Sequence, residues 1–210
     1  MKFDPDSRFF SFCSRLVELV QINLLWLLCC LPIVTAGAAT TAMLTCLYAW
    51  RDSAPCGGRV FFSAFRRFFS KSTLLWLGIL VLWVMLAVDY AIVANLTFPG
   101  RMAVICLILF VGMALVLVSA MVFPLLSQFP MGVKDTLTNA VLLSLAHLPK
   151  MLLITAANLL PLILAVLLPQ LFVLTGFVWV LCGFSLLALY SIRVLEPIFA
   201  PFRSGEAPSA

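Results

Sequence analysis

Polar side chains inside apolar runs are the residues of this chain best placed to do chemistry, because an unpaired polar group in hydrocarbon costs several kcal/mol. Asp89 stands near the far end of one such run. It could hold a cation or a proton, or it could simply reach the outer interface of a membrane. Gln21 and Asn23 in the first run and Asn158 in a later one could line a substrate path or hydrogen-bond between helices. The second use is the more frequent one and is worth about 0.6–2 kcal/mol per bond. Thr35, Thr40, Thr41 and Thr45 could line a cavity or bond back to carbonyls of their own helix, while Gly37, Ala38 and Ala42 allow close helix approach in either case. Pro161 frees a backbone carbonyl, as at a broken-helix site or a plain kink. The candidate pathway or packing set is therefore Asn23, Trp26, Pro32, Thr35, Gly37, Thr40, Thr41 and Asn158, with Asp89 as the candidate ionisable group.

No catalytic site is expected. The chain has no GxSxG elbow, no HExxH and no phosphate-binding glycine loop. Acid–base catalysis needs two titratable groups held together, and the topology derived below puts Asp89 and His147 on opposite sides of the membrane. Seven cysteines occur without a CxxC pair, mostly inside apolar runs, and read as small packing residues. With one histidine and no Cys/His spacing suited to zinc, neither a metal nor a cofactor is expected.

The elements that must position these groups are membrane helices. The chain is 64% apolar and 10% charged with a mean hydropathy of +1.19, against about 45–50% and 25% in soluble domains. Runs of about twenty apolar residues recur. They predict an all-α polytopic membrane bundle of about six spans in one domain, 1–210, with spans at about 16–34, 36–50, 72–94, 102–123, 151–168 and 171–195. The fourth span is expected to stop at Pro124. The first two spans form a short hairpin about the break Pro32 to Gly37; the second is only about 22 Å long, so the pair either crosses a thinned bilayer or is re-entrant. Residues 1–15 read as a polar lead with Phe9, Phe10 and Phe12 at an interface, and 196–210 as a poorly ordered tail. Met1 to Ala39 has the outline of a signal peptide, but its long start and Asp4, Asp6 and Glu18 predict that it is retained.

Between the second and third spans, RVFFSAFRRFFSK over 59–71 places Phe61, Phe62, Phe65, Phe68 and Phe69 in one arc and Arg59, Arg66 and Arg67 opposite. This pattern predicts a separate interfacial helix whose aromatics enter lipid. Phe61, Phe62, Phe65, Arg66, Arg67, Phe68, Phe69 and Lys71 are the candidate lipid or partner contacts; docking a transporter subunit and gating the bundle are the other readings. Nucleic-acid binding is not expected, since the aromatics are committed to the bilayer. A second amphipathic portion within 125–150 puts Val133, Leu137, Ala140, Val141, Ser144 and Leu148 on one face.

Charge sets the orientation. Six crossings put Lys2, Arg8, Arg15, Arg51, Arg59, Arg66, Arg67, Lys71, Lys134, Lys150, Arg193 and Arg203 on one side and leave only Arg101 of the thirteen basic residues on the other. By the positive-inside rule both termini are expected to be cytoplasmic.

The blocks Asn23 to Leu28, Leu31 to Gly37, Ala39 to Thr41, Phe62 to Phe65, Phe69 to Lys71, Leu74 to Trp76, Phe123 to Leu126 and Lys134 to Ala140 resemble the YesL-type family of bacterial integral membrane proteins, whose biochemical role is largely unassigned. The last two spans match it only in hydropathy. The resemblance implies a multi-pass protein of the bacterial plasma (inner) membrane, often encoded beside carbohydrate ABC-transport genes. The expected function is thus a non-catalytic accessory component of a solute transport system, carbohydrate above all, with ABC-transporter subunits as partners through 59–71 and 132–148. The alternative is a stand-alone small-solute transporter or channel along Asn23, Thr35, Thr40 and Asn158.

Overall fold

Apolar residues at helical spacing run through nearly the whole chain, and no strand forms among the described residues. The structure is a computed structural model that describes residues 8–54 and 56–204. Lys2, the side chains of Phe9, Phe10 and Phe12, Pro55 and the end of the tail lie outside the described residues. Helices α1 (Arg8–Cys30) and α2 (Ala36–Arg51) are joined through a 3-10 turn at Ile33–Thr35. Next come α3 (Gly58–Asn95), α4 (Arg101–Gln128), α5 (Val133–Ala146), α6 (Leu148–Leu167) and α7 (Pro169–Val178). A π-helical turn at Trp179–Gly183 leads into α8 (Phe184–Ser204). Six stretches are long and apolar enough to cross a membrane: Cys13–Cys30, Ile33–Arg51, Gly58–Asn95, Arg101–Gln128, Leu148–Leu167 and Pro169–Arg203.

The break after α1 closes on itself. The Thr35 hydroxyl donates to the carbonyls of Cys29 at 2.6 Å and Pro32 at 2.8 Å, so the turn leaves few backbone groups for lipid. Gly37 then lets α2 seat against α3: a Cβ there would lie 2.5 Å from Trp76 Cβ and 2.7 Å from the Ser72 carbonyl oxygen. The Trp76 indole N–H donates to the Ile33 carbonyl at 2.7 Å, and the Thr41 and Ser72 hydroxyls bond at 2.9 Å. The hairpin tip is therefore pinned at the level of Ser72 to Trp76. Beyond that level α3 continues through nineteen more residues to Asn95, about 28 Å of helix.

Two sequence expectations are corrected. Residues 59–71 are not a separate interfacial helix, because α3 runs unbroken from Gly58 to Asn95. Phe61, Ala64, Phe68, Ser72, Leu75 and Ile79 form one buried stripe along it, at the three- and four-residue spacing of a packed helix face. Phe61 and Phe68 thus belong to the core and not to lipid, while Phe62 and Phe69 are exposed and Phe65 is half-buried. Secondly, α4 does not stop at Pro124 but passes through it to Gln128. Proline removes one N–H donor from the ladder, and Ser127 donates its hydroxyl to the Pro124 carbonyl at 2.7 Å. On α5 the buried row is Thr136, Ala140 and Ser144, small residues that permit close approach, while Leu137 and Val141 are exposed.

Candidate functional site

The six apolar stretches line a partly open cavity of about 280 Å³. Trp26 of α1, Trp76 of α3, Phe123 of α4 and Phe184 of α8 supply aromatic walls. Thr40 of α2, Ser119 of α4, Thr155 and Asn158 of α6 and Ser191 of α8 supply hydroxyl and amide groups. Several wall residues are held by local bonding. The Trp26 indole donates to the Thr40 hydroxyl at 3.2 Å, and that hydroxyl donates to the Ala36 carbonyl at 2.8 Å. Trp26 also packs on Phe184 with ring centroids 4.9 Å apart. Ser119 and Ser191 donate to carbonyls one turn back in their own helices. Thr155 differs. It is 4% exposed, and its hydroxyl oxygen makes no hydrogen bond among the described residues.

No Asp, Glu, Lys, Arg or His lines this cavity. A charge entering it would meet no compensating group, which is costly in a low-dielectric interior. The chemistry that the cavity supports is hydrogen bonding to, and aromatic contact with, an uncharged molecule.

Asn23 does not face this cavity. It is fully buried and fills the π-helical turn of the last apolar stretch. A π turn widens the helix and disturbs the regular bonding ladder. The Asn23 amide donates to the carbonyls of Trp179 at 3.0 Å and Val180 at 2.6 Å, while its oxygen accepts from the Ser185 backbone N–H at 3.0 Å and lies 3.2 Å from the Ser185 hydroxyl. This is interhelical bonding, one of the two uses open to Asn23 from sequence. We expect Asn23→Leu to destabilise the protein in detergent by about 2 kcal/mol, four bonds at about 0.6 kcal/mol each. Thermal unfolding of the purified variant measures it, and an unchanged midpoint would remove this account.

The remaining candidates divide in the same way. Thr35 serves the hairpin turn, Pro32 is exposed at the tip, and Gly37 and Thr41 serve the α2–α3 contact. Thr40, Thr41 and Thr45 each bond back to a carbonyl four residues earlier. Only Trp26, Thr40 and Asn158 of the pathway set meet at one cavity, so the path drawn through Asn23 and Thr35 is corrected: both side chains are consumed by helix packing. Asp89 is exposed on α3, six residues before its end, and takes part in neither of the two ion pairs among the described residues, which both belong to Arg51. Sequence reasoning missed Trp76, Phe123, Thr155, Phe184 and Ser185. Thr155 carried one usable signal, since it sits three residues before Asn158 and so shares its helix face.

The chain is similar over residues 19–90 to the family described as a protein of unknown function, DUF624. That stretch takes in most of α1, the hairpin turn, α2 and α3 as far as Tyr90. No curated protein and no solved structure matches the chain.

Proposed function

We propose that this protein is a non-catalytic accessory component of a solute transport system in a bacterial plasma membrane, with its basic end in the cytoplasm. One observation carries the reading. The first fourteen residues of α3, 58–71, precede its uninterrupted apolar run and are about 21 Å long. Opposite the buried Phe61–Phe68 stripe they expose Arg59, Phe62, Arg66 and Phe69, which at three- and four-residue spacing form a single ridge. None of these arginines has a carboxylate partner among the described residues. Arginine and aromatic side chains dominate the energetics of protein interfaces, so the ridge suits an acidic surface on a transporter subunit. The YesL-type resemblance supports an ABC-type carbohydrate system as the partner.

Purification in mild detergent from cells that make the transporter tests this. The wild-type protein is expected to bring transporter subunits with it, and Arg59→Glu with Arg66→Glu to lose them by more than tenfold while remaining folded. Recovery of the wild-type protein always alone would end the proposal. If the double variant instead loses binding only to anionic vesicles, the ridge contacts lipid.

The cavity favours a second reading, a stand-alone transporter for a small uncharged solute. Reconstituted vesicles that take up no labelled neutral solute would count against it.

A further inference from the structure

Beside the central cavity lies a groove of about 530 Å³ between α3, α4 and α6. The two share Val116 and Leu159 as a common border. Their linings differ in character. The groove is walled by Trp83, Leu86, Ile108, Leu109 and Met113, with Tyr90 as its one polar side chain. The cavity carries the exposed amide of Asn158, next in sequence to the border residue Leu159. Neither lining contains a charged residue. Gly112 also lines the groove, and a Cβ there would enter free space, with Trp83 nearest, at 4.0 Å.

Depth adds to this. The groove residues on α3, Trp83 to Tyr90, lie beyond the hairpin tip, where α1 and α2 no longer cover α3. Trp83 and Tyr90 are 40% and 47% exposed, and their neighbours Val84, Met85 and Val88 more so. In a membrane this surface is solvated by acyl chains, so the groove opens sideways to the bilayer, and at Val116 and Leu159 it adjoins the more polar cavity.

We propose that groove and cavity form one site for an uncharged single-chain amphiphile. Its hydroxyl-bearing head meets the Asn158 amide, and its chain lies between α3 and α4. A phospholipid cannot place its head there, because nothing in the cavity compensates a phosphate. It can contribute only a chain to the groove. The site is independent of the basic ridge, so transporter subunits should co-purify equally whether or not it is occupied.

The test uses the full-length protein in nanodiscs and a hexadecanol probe with a photoreactive diazirine next to the hydroxyl. Cross-linking is expected on peptides of α4 and α6 and should be competed by monooleoylglycerol but not by phosphatidylglycerol. Asn158→Leu should lower labelling about fivefold, the value of one ordinary hydrogen bond. Gly112→Leu, which projects a side chain into the groove, should lower it as well. Gly112→Ala is the milder variant if leucine disturbs assembly, and it should give a smaller loss. Labelling unchanged in Asn158→Leu and in Gly112→Leu overturns the proposal. So does equal competition by phosphatidylglycerol, which would mean that the groove merely holds bilayer chains.

Discussion

A single cysteine at Ile33, in a chain whose seven native cysteines have been replaced, is expected to resist a membrane-impermeant maleimide added from the side opposite the basic end. A cysteine at Phe98, in the α3–α4 turn, is expected to label fully. The reason is depth. Ile33 accepts the Trp76 indole hydrogen bond at 2.7 Å, so the tip lies level with Trp76. Toward the basic end, Lys71 is five residues away along α3, about 7.5 Å, and its amine donates to the Met131 carbonyl at 2.9 Å in the α4–α5 connection. Toward the other end, the nineteen residues to Asn95 span about 28 Å, nearly the whole hydrocarbon thickness of about 30 Å. Leu31, Ile33 and Val34 are 77%, 67% and 50% exposed and must be covered by acyl chains. A hairpin of this depth is expected to be re-entrant, entering from the basic side and turning back inside the bilayer. Equal labelling at positions 33 and 98 would show instead that it crosses.

The second large effect is expected at Gly37. A Cβ there would overlap Trp76 Cβ and the Ser72 carbonyl oxygen. Neither is the tip of a flexible side chain, so relief requires moving the hairpin off α3. We expect Gly37→Ala to destabilise the protein by about 3 kcal/mol, the upper range for overpacking, and Gly37→Leu to prevent assembly. Loss of the tip contact would also free the Trp76 and Ile33 groups that bond across it. Gly78 and Gly176 provide the control, because a Cβ at either meets nothing within 4 Å. Alanine there should stabilise by up to about 1 kcal/mol through helix propensity. Denaturation midpoints in one detergent compare the three, and a Gly37→Ala midpoint equal to the controls would refute the close-contact account.

Both predictions concern how helices meet, and there sequence reasoning was least reliable. The phenylalanines of 59–71 illustrate this. Their arc and the opposing arginines were legible, but whether a neighbouring helix or lipid covers an apolar arc is not a property of the arc. Phe61 and Phe68 joined the core, while Phe62 and Phe69 stayed exposed. Asn23 was legible as a polar group that required partners. Its partners lie more than 150 residues away at a π turn, and no local pattern announced that turn. The cavity follows the same rule. Asn158, Thr40 and Trp26 were recognised singly, yet their convergence with Thr155 and Phe184 depends on how four helices pack.

The amino-acid sequence by itself determined the class of this protein, the position of its six apolar stretches and the segregation of its basic residues. Transfer of each residue from water to hydrocarbon is a local quantity that adds along the chain. Only the tertiary structure decided the depth of the hairpin, the employment of Asn23 and the uncharged character of the cavity. Those depend on which surfaces become neighbours, and in a bilayer small-residue contacts and interhelical hydrogen bonds make that choice, because apolar side chains are solvated equally well by lipid and by protein.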